Sequence, residues 1–126
     1  MTDSDVRPIV LITGATGNLG RSLGEALGSD YRIVGLDRGA EGADFPVFAA
    51  DFTSDASVEL ALRKLRDSFG SHIASVIHLV AYFDFTGEDN PLYQSVNVDG
   101  TRRLLAAARD AGIGFSACVS LGNQAD

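Results

Sequence analysis

Apolar residues along the chain fall into short, nearly continuous runs separated by longer amphipathic stretches. PIVLIT (Pro8–Thr13) is almost wholly apolar, the pattern of a strand covered on both faces. Asn18–Leu27 carries Leu19, Leu23 and Leu27 at four-residue spacing, which predicts a helix with Gly28 at its end. Tyr31–Asp37 reads as a second strand and Pro46–Ala50 as a shorter third. Ser54 or Asp55 can cap the next helix, in which Val58, Leu62, Leu65 and Phe69 share one face while Glu59 and Arg63 stand a turn apart outside. Ser75–Ala81 predicts a fourth strand. Asn90 followed by Pro91 predicts the N-cap and first turn of a helix reaching Ala111, with Gly112 as its stop. Phe115–Ser120 predicts a fifth strand.

Strands separated by helices require parallel pairing through right-handed crossovers. The expected fold is therefore α/β: a three-layer parallel sheet with helices on both faces and strand order 3-2-1-4-5. The 126 residues are expected to form one domain, 1–126. Composition narrows the function classes. A net charge of −7 with no basic stripe disfavours nucleic-acid binding. No window approaches the roughly 20 apolar residues of a membrane span, and the acidic MTDSDVRP start argues against a signal or transit peptide. Cys118, the one cysteine, has no internal disulfide partner, so a reducing, cytoplasmic setting is expected; its FSACVS neighbours predict a small buried hydrophobe. Metal-ligand spacing and a GxSxG elbow are both absent.

Chemistry concentrates in LITGATGNLGR (Leu11–Arg21). Gly14, Gly17 and Gly20 fall between the first strand and first helix, spaced GxxGxxG. Gly14 lets the chain turn off the strand, Gly17 lets the backbone approach a pyrophosphate, and Gly20 lets the helix pack closely. The helix N-terminus then faces the anion. An acidic residue, Asp37, follows about 20 residues on at the end of the second strand, placed to accept from the adenosine ribose hydroxyls. A carboxylate there repels a 2′-phosphate and favours NAD over NADP. Arg38 has two readings, a partner for that phosphate or a solvated surface arginine.

These motifs together resemble the short-chain dehydrogenase/reductase family, in its extended branch of NAD-dependent epimerases and dehydratases. TGATGNLG resembles that branch's glycine motif, DFTSD (Asp51–Asp55) its segment after the third strand, HLVA (His78–Ala81) its HxAA segment, and SVNVDGT (Ser95–Thr101) its SxNxxGT segment. The resemblance implies a Rossmann-type fold with NAD held by Gly14, Thr16, Gly17, Asn18, Leu19, Gly20, Asp37 and Arg38. It further implies that Asp51 meets the adenine amino group, Phe52 sits against the ring, Leu79, Val80 and Ala81 pass the ribose and nicotinamide side, and Asn97 supports the active site. Other readings stand beside these. Asp51 can be a turn or capping carboxylate. His78, in an apolar strand, fits a satisfied buried histidine. Asn97, a poor helix former, needs a specific hydrogen-bond partner. Tyr82, Phe83 and Phe85 can line a substrate pocket or close the core.

In the family a tyrosine acts as acid/base beside a lysine four residues later, because a phenol titrating near 10 needs a cation to act at neutral pH. Four residues beyond Tyr31, Tyr82 and Tyr93 stand Gly35, Thr86 and Asn97, and the sole lysine, Lys64, follows Leu60. The pair does not occur in these residues. Ser120 corresponds to the family's catalytic serine or threonine, though SLGNQAD departs from the family's continuation. The expectation is an NAD-binding portion of an epimerase/dehydratase-like oxidoreductase, incomplete relative to the family and unable to catalyse alone, a sugar-type or other small substrate belonging to a complete parent. The alternatives are a non-catalytic NAD-binding sensor or regulatory module, or an interaction scaffold. The fifth strand is expected to be an exposed edge through which the chain self-associates or docks a partner.

Overall fold

Among the described residues, five strands and three helices alternate, except that the second and third strands are joined without a helix. The computed structural model describes residues 5–39, 41–80 and 99–120. In chain order the elements are β1 (Ile9–Thr13), α1 (Asn18–Leu27), β2 (Arg32–Asp37), β3 (Val47–Ala49), α2 (Asp55–Phe69), β4 (His72–His78), α3 (Asp99–Asp110) and β5 (Gly114–Ser120). The strands form one sheet in the order β3-β2-β1-β4-β5, every pairing parallel. This is the expected α/β, Rossmann-like arrangement, with the switch in strand order between β1 and β4.

Side chains of β1 alternate between two cores. Val10, Ile12 and Ala15 meet Leu23, Leu27 and Phe45 on the α1 face. Ile9 and Leu11 join Val58, Leu62 and Leu65 of α2 and Leu104, Ala107 and Ala108 of α3 on the other. The apolar runs are continuous because both faces of the central strands are buried, all five positions of β1 included. Ser54 caps α2, its hydroxyl accepting from the Ser57 N–H, and Gly112 (φ 73°) follows α3 where a stop was expected.

Three expectations change. β4 begins at His72 and ends at His78, three residues earlier than the apolar run suggested, because it pairs with β5 from His72 opposite Gly114 onward. Only part of the leucine stripe of α1 faces the core: Leu23 and Leu27 pack there partly buried beside the buried Gly20 and Gly24, while Leu19 is 53% exposed. The helix packs through its small residues, and Phe45 fills the space over Gly24 and Gly35. Cys118 is exposed rather than buried, because β5 is an edge strand on which every residue but the half-buried Phe115 is exposed. Its remaining neighbours still desolvate the thiol enough to raise its pKa. Residues 91–98 of the helix expected from Asn90 lie outside the described residues.

Close packing at Gly20 has a measurable consequence. A Cβ there would lie 2.4 Å from the Gly14 carbonyl oxygen and 2.8 Å from the Ala15 Cα, both backbone atoms that cannot rotate away. Gly20→Ala is expected to cost about 1–3 kcal/mol of unfolding free energy through this overlap. Urea denaturation of the variant beside the wild type measures it; an unchanged midpoint would contradict the packing.

Candidate functional site

At the C-terminal ends of β1, β2 and β4 the chain brings together most of the residues the motifs singled out. Gly14, at φ 72°, turns the chain off β1; its N–H donates to the Leu36 carbonyl at 2.8 Å, and a Cβ would lie 3.3 Å from Leu79. Leu79 passes close over this loop because its N–H donates to the Thr13 hydroxyl at 3.0 Å and to the Thr13 carbonyl at 3.2 Å, with Val80 N–H reaching the same hydroxyl at 3.5 Å. Gly14, Leu79 and Val80 are thus fixed as one layer over the end of β1.

Gly17 has no such packing role. It has ordinary extended geometry (φ −75°, ψ 172°), and a Cβ would meet only the Gly14 carbonyl oxygen at 3.5 Å, an ordinary contact. The protein itself could accommodate a side chain there, so the glycine keeps clear the space above α1. Gly17 is the N-cap of α1, yet no side chain caps the helix, and its first turn holds no acidic residue. Asn18 turns its amide oxygen outward to Arg21 at 2.9 Å. The first-turn N–H groups have no partner within a helix, and the positive end of the dipole lies with them. Leu19, exposed beside them, offers an apolar side chain in the first turn. An anionic group on a small ligand fits this arrangement.

Asp37 stands at the end of β2 within reach of the same loop. One carboxylate oxygen accepts the Thr16 N–H at 2.9 Å and the Thr16 hydroxyl at 2.6 Å; the other accepts the Arg38 N–H at 2.7 Å. Asp51 closes a turn, its carboxylate accepting the Thr53 N–H at 2.9 Å and hydroxyl at 2.7 Å. Those two bonds hold its pKa below the usual carboxylate value, with smaller help from the charges of Arg38 and Arg103. The capping reading of Asp51 describes this geometry, and the second carboxylate oxygen is not part of the turn. Phe52 next to it faces inward: 3% exposed, it packs in the core with its ring 5.4 Å from that of His78. The turn before α2 directs Phe52 to the core and Asp51 to the surface, so no exposed ring face is offered there. Arg103 of α3 braces the segment through the Phe52 carbonyl at 3.2 Å and Asp55 at 2.6 Å. Ser120 ends β5 opposite His78 in register and is exposed. Ala81, Tyr82, Phe83, Phe85 and Asn97 lie outside the described residues.

Thr13 was not singled out from the sequence, although it organises this end of the sheet. It is fully buried, and its hydroxyl lies 2.6 Å from His78 Nδ1 while accepting from Leu79 N–H. The two atoms share one proton, and which of them donates follows the histidine tautomer. His78 is 1% exposed, and Nε2 has no partner among the described residues. The expectation of a buried histidine holds, whereas full satisfaction does not. Two polar residues ending adjacent apolar strands were the signal that could have linked Thr13 with His78.

Among the described residues no three His, Cys, Asp or Glu side chains gather to hold a metal ion, and no helix is long and apolar enough to cross a membrane. A cleft of about 610 Å³ lies elsewhere, between Gly24, Gly28, Tyr31 and Phe45, with Arg7, Arg21 and Arg32 among its lining residues.

Burial lowers the His78 pKa from 6.5 to about 4. Between those values the unfolded chain binds a proton that the folded chain does not, so stability is lost as pH falls through the window. The full shift corresponds to roughly 3 kcal/mol. Urea midpoints measured from pH 7 to pH 4 should fall more steeply for the wild type than for His78→Gln; parallel curves would contradict this burial of the neutral ring.

Comparison with known proteins follows the same lines. A sequence profile of the NAD dependent epimerase/dehydratase family matches residues 10–123. The UDP-glucose 4-epimerase of Mycolicibacterium smegmatis is 35% identical over 115 residues, covering 82% of this chain and 35% of that protein. Among solved structures, the UDP-glucose 4-epimerase of Thermus thermophilus in complex with NAD is 29% identical with a TM-score of 0.62, covering 85% of this chain and 36% of that one. A short-chain dehydrogenase/reductase superfamily protein from Agrobacterium tumefaciens with bound NAD is also 29% identical, with a TM-score of 0.64, covering 86% of this chain and 31% of that one. The chain spans about a third of the length of each.

Proposed function

The chain belongs to the NAD dependent epimerase/dehydratase family, and from that premise we propose that it binds NAD through the glycine loop and Asp37 as the dinucleotide-binding portion of an oxidoreductase. The observation that carries this reading is Gly17. It stands at an uncapped helix N-terminus where the protein has room for a side chain and has none. Thr16, Gly17, Asn18, Leu19 and Gly20 border the pyrophosphate. Asp37 takes the adenosine ribose and favours NAD over NADP, with Arg38 beside it. The second carboxylate oxygen of Asp51 is the acceptor for an adenine amino group, while Phe52 acts from the core by setting that turn. Leu79 and Val80, with Ala81 and Asn97 beyond them, belong to the ribose and nicotinamide side.

NAD, when bound, supplies hydride transfer. This chain's own residues bind and orient it. No Tyr-x-x-x-Lys pair occurs in these 126 residues, so the chain by itself holds NAD without turning over a sugar-type substrate, and Ser120 lacks partners here. Calorimetric titration tests the reading: NAD⁺ and ADP-ribose are expected to bind alike and NADP⁺ much more weakly. Gly17→Ala should keep wild-type stability to within about 1 kcal/mol, the range of ordinary cap exchanges, and lose at least tenfold in affinity for both ligands. Tight binding by Gly17→Ala would refute the role of this loop.

The β5 edge, with Val119 51% exposed and no strand beyond it among the described residues, supports self-association. Sedimentation velocity should reveal a species larger than a monomer that grows with concentration. A single monomeric boundary throughout would reject it.

A further inference from the structure

Asp37 accepts three hydrogen bonds from its own chain, and two of them come from one residue. The Thr16 N–H and hydroxyl both reach the same carboxylate oxygen, at 2.9 and 2.6 Å, across the gap between the glycine loop and β2. The Arg38 N–H holds the other oxygen at 2.7 Å. The carboxylate is thus pinned from both ends and is not free to rotate or withdraw. A hydroxyl has one proton to donate and two lone pairs with which to accept. With its proton given to Asp37, Thr16 has only acceptor capacity left, and an ionised carboxylate has nothing else.

We propose that Thr16 is a specificity-determining residue: by holding Asp37 and surrendering its proton to it, Thr16 makes this corner of the site acceptor-only, which suits an unphosphorylated ribose diol and rejects a 2′-phosphate. The inference rests on the dinucleotide reading above and deepens it. A vicinal diol brings two O–H donors to such a corner. A 2′-phosphate brings charged acceptor oxygens and no donor at neutral pH, and it finds neither a proton to accept nor a carboxylate able to move aside. Charge repulsion from Asp37 alone would be softened if the side chain could swing away. The guanidinium of Arg38, whose charge also acts on Asp51, would then be available to the phosphate. The Thr16 clamp prevents that exchange. Donors and acceptors are also kept apart along the site, with N–H groups at the start of α1 and acceptors at Asp37 and Thr16.

Removing the hydroxyl while keeping the backbone N–H bond isolates the effect. Thr16→Val does this at constant shape, Thr16→Ala does it with less bulk should the added methyl disturb the loop, and Thr16→Ser retains the hydroxyl. Each is titrated calorimetrically with NAD⁺ and NADP⁺ after a thermal melt establishes folding. Loss of a hydrogen bond to a charged group is worth roughly tenfold in affinity. The NAD⁺/NADP⁺ affinity ratio is therefore expected to fall about tenfold in Thr16→Val and Thr16→Ala and to recover in Thr16→Ser. A merely structural role would weaken both cofactors in parallel and leave the ratio unchanged, and that result overturns this inference alone. So does a Thr16→Ser variant as unselective as Thr16→Val. A folded wild-type chain that binds neither cofactor overturns it together with the reading on which it rests.

Discussion

The Asp37 carboxylate, receiving two donors from Thr16 and one from Arg38, ties the glycine loop to the end of β2. Without that tie the loop between β1 and α1 would be held by backbone bonds alone, chiefly Gly14 N–H to Leu36 and Gly17 N–H to Gly14. Both residues it joins lie at the C-terminal edge of the sheet, where open parallel sheets bind their ligands. A second tie, from the Thr13 hydroxyl to His78 and Leu79, fixes β4 against the other side of the same loop. Between them the two ties hold the start of α1 from both flanks, so its N-terminus is presented in a fixed direction. If the proposed ligand binds there, a helix N-terminus preorganised in this way loses little ordering entropy on binding.

The two cores explain why the site can be so sparsely decorated. Rigidity is supplied from below by Leu11, Val34 and Leu36 on one face and Val10, Ile12 and Ile33 on the other. Small residues then shape the surface. Gly20 lets α1 approach the backbone of Ala15, and Gly17 leaves open space where most helices carry a capping side chain. Gly20 is thus a residue that packing requires, whereas packing does not require Gly17.

Much of this was legible because it depends on local signals. Strand order followed from the alternation of elements, Ser54 and Gly112 marked a helix start and stop, and the glycine spacing with Asp37 pointed to the candidate site. What escaped depends on partners distant in sequence. The glycines' share of the α1 contact was hidden because leucines stand out and glycines do not, and only the fold shows Phe45 over Gly24 and Ala15, Phe45 and Val47 over Gly35. The surroundings of Phe52 and Cys118 are likewise set by the fold. The turn before α2 carries Phe52 inward to His78, while the edge position of β5 leaves Cys118 outside. The exposure of Cys118 is not encoded in that residue's own polarity.

Whether the glycine loop and Asp37 form the ligand site is best decided by chemical-shift mapping of the ¹⁵N-labelled chain with ADP-ribose. Changes should concentrate at the amides of Gly14–Gly20 and of Asp37 and Arg38, saturating with added ligand. Changes centred instead on Arg7, Tyr31 and Arg32 at the other cleft, or none at all, would contradict that placement.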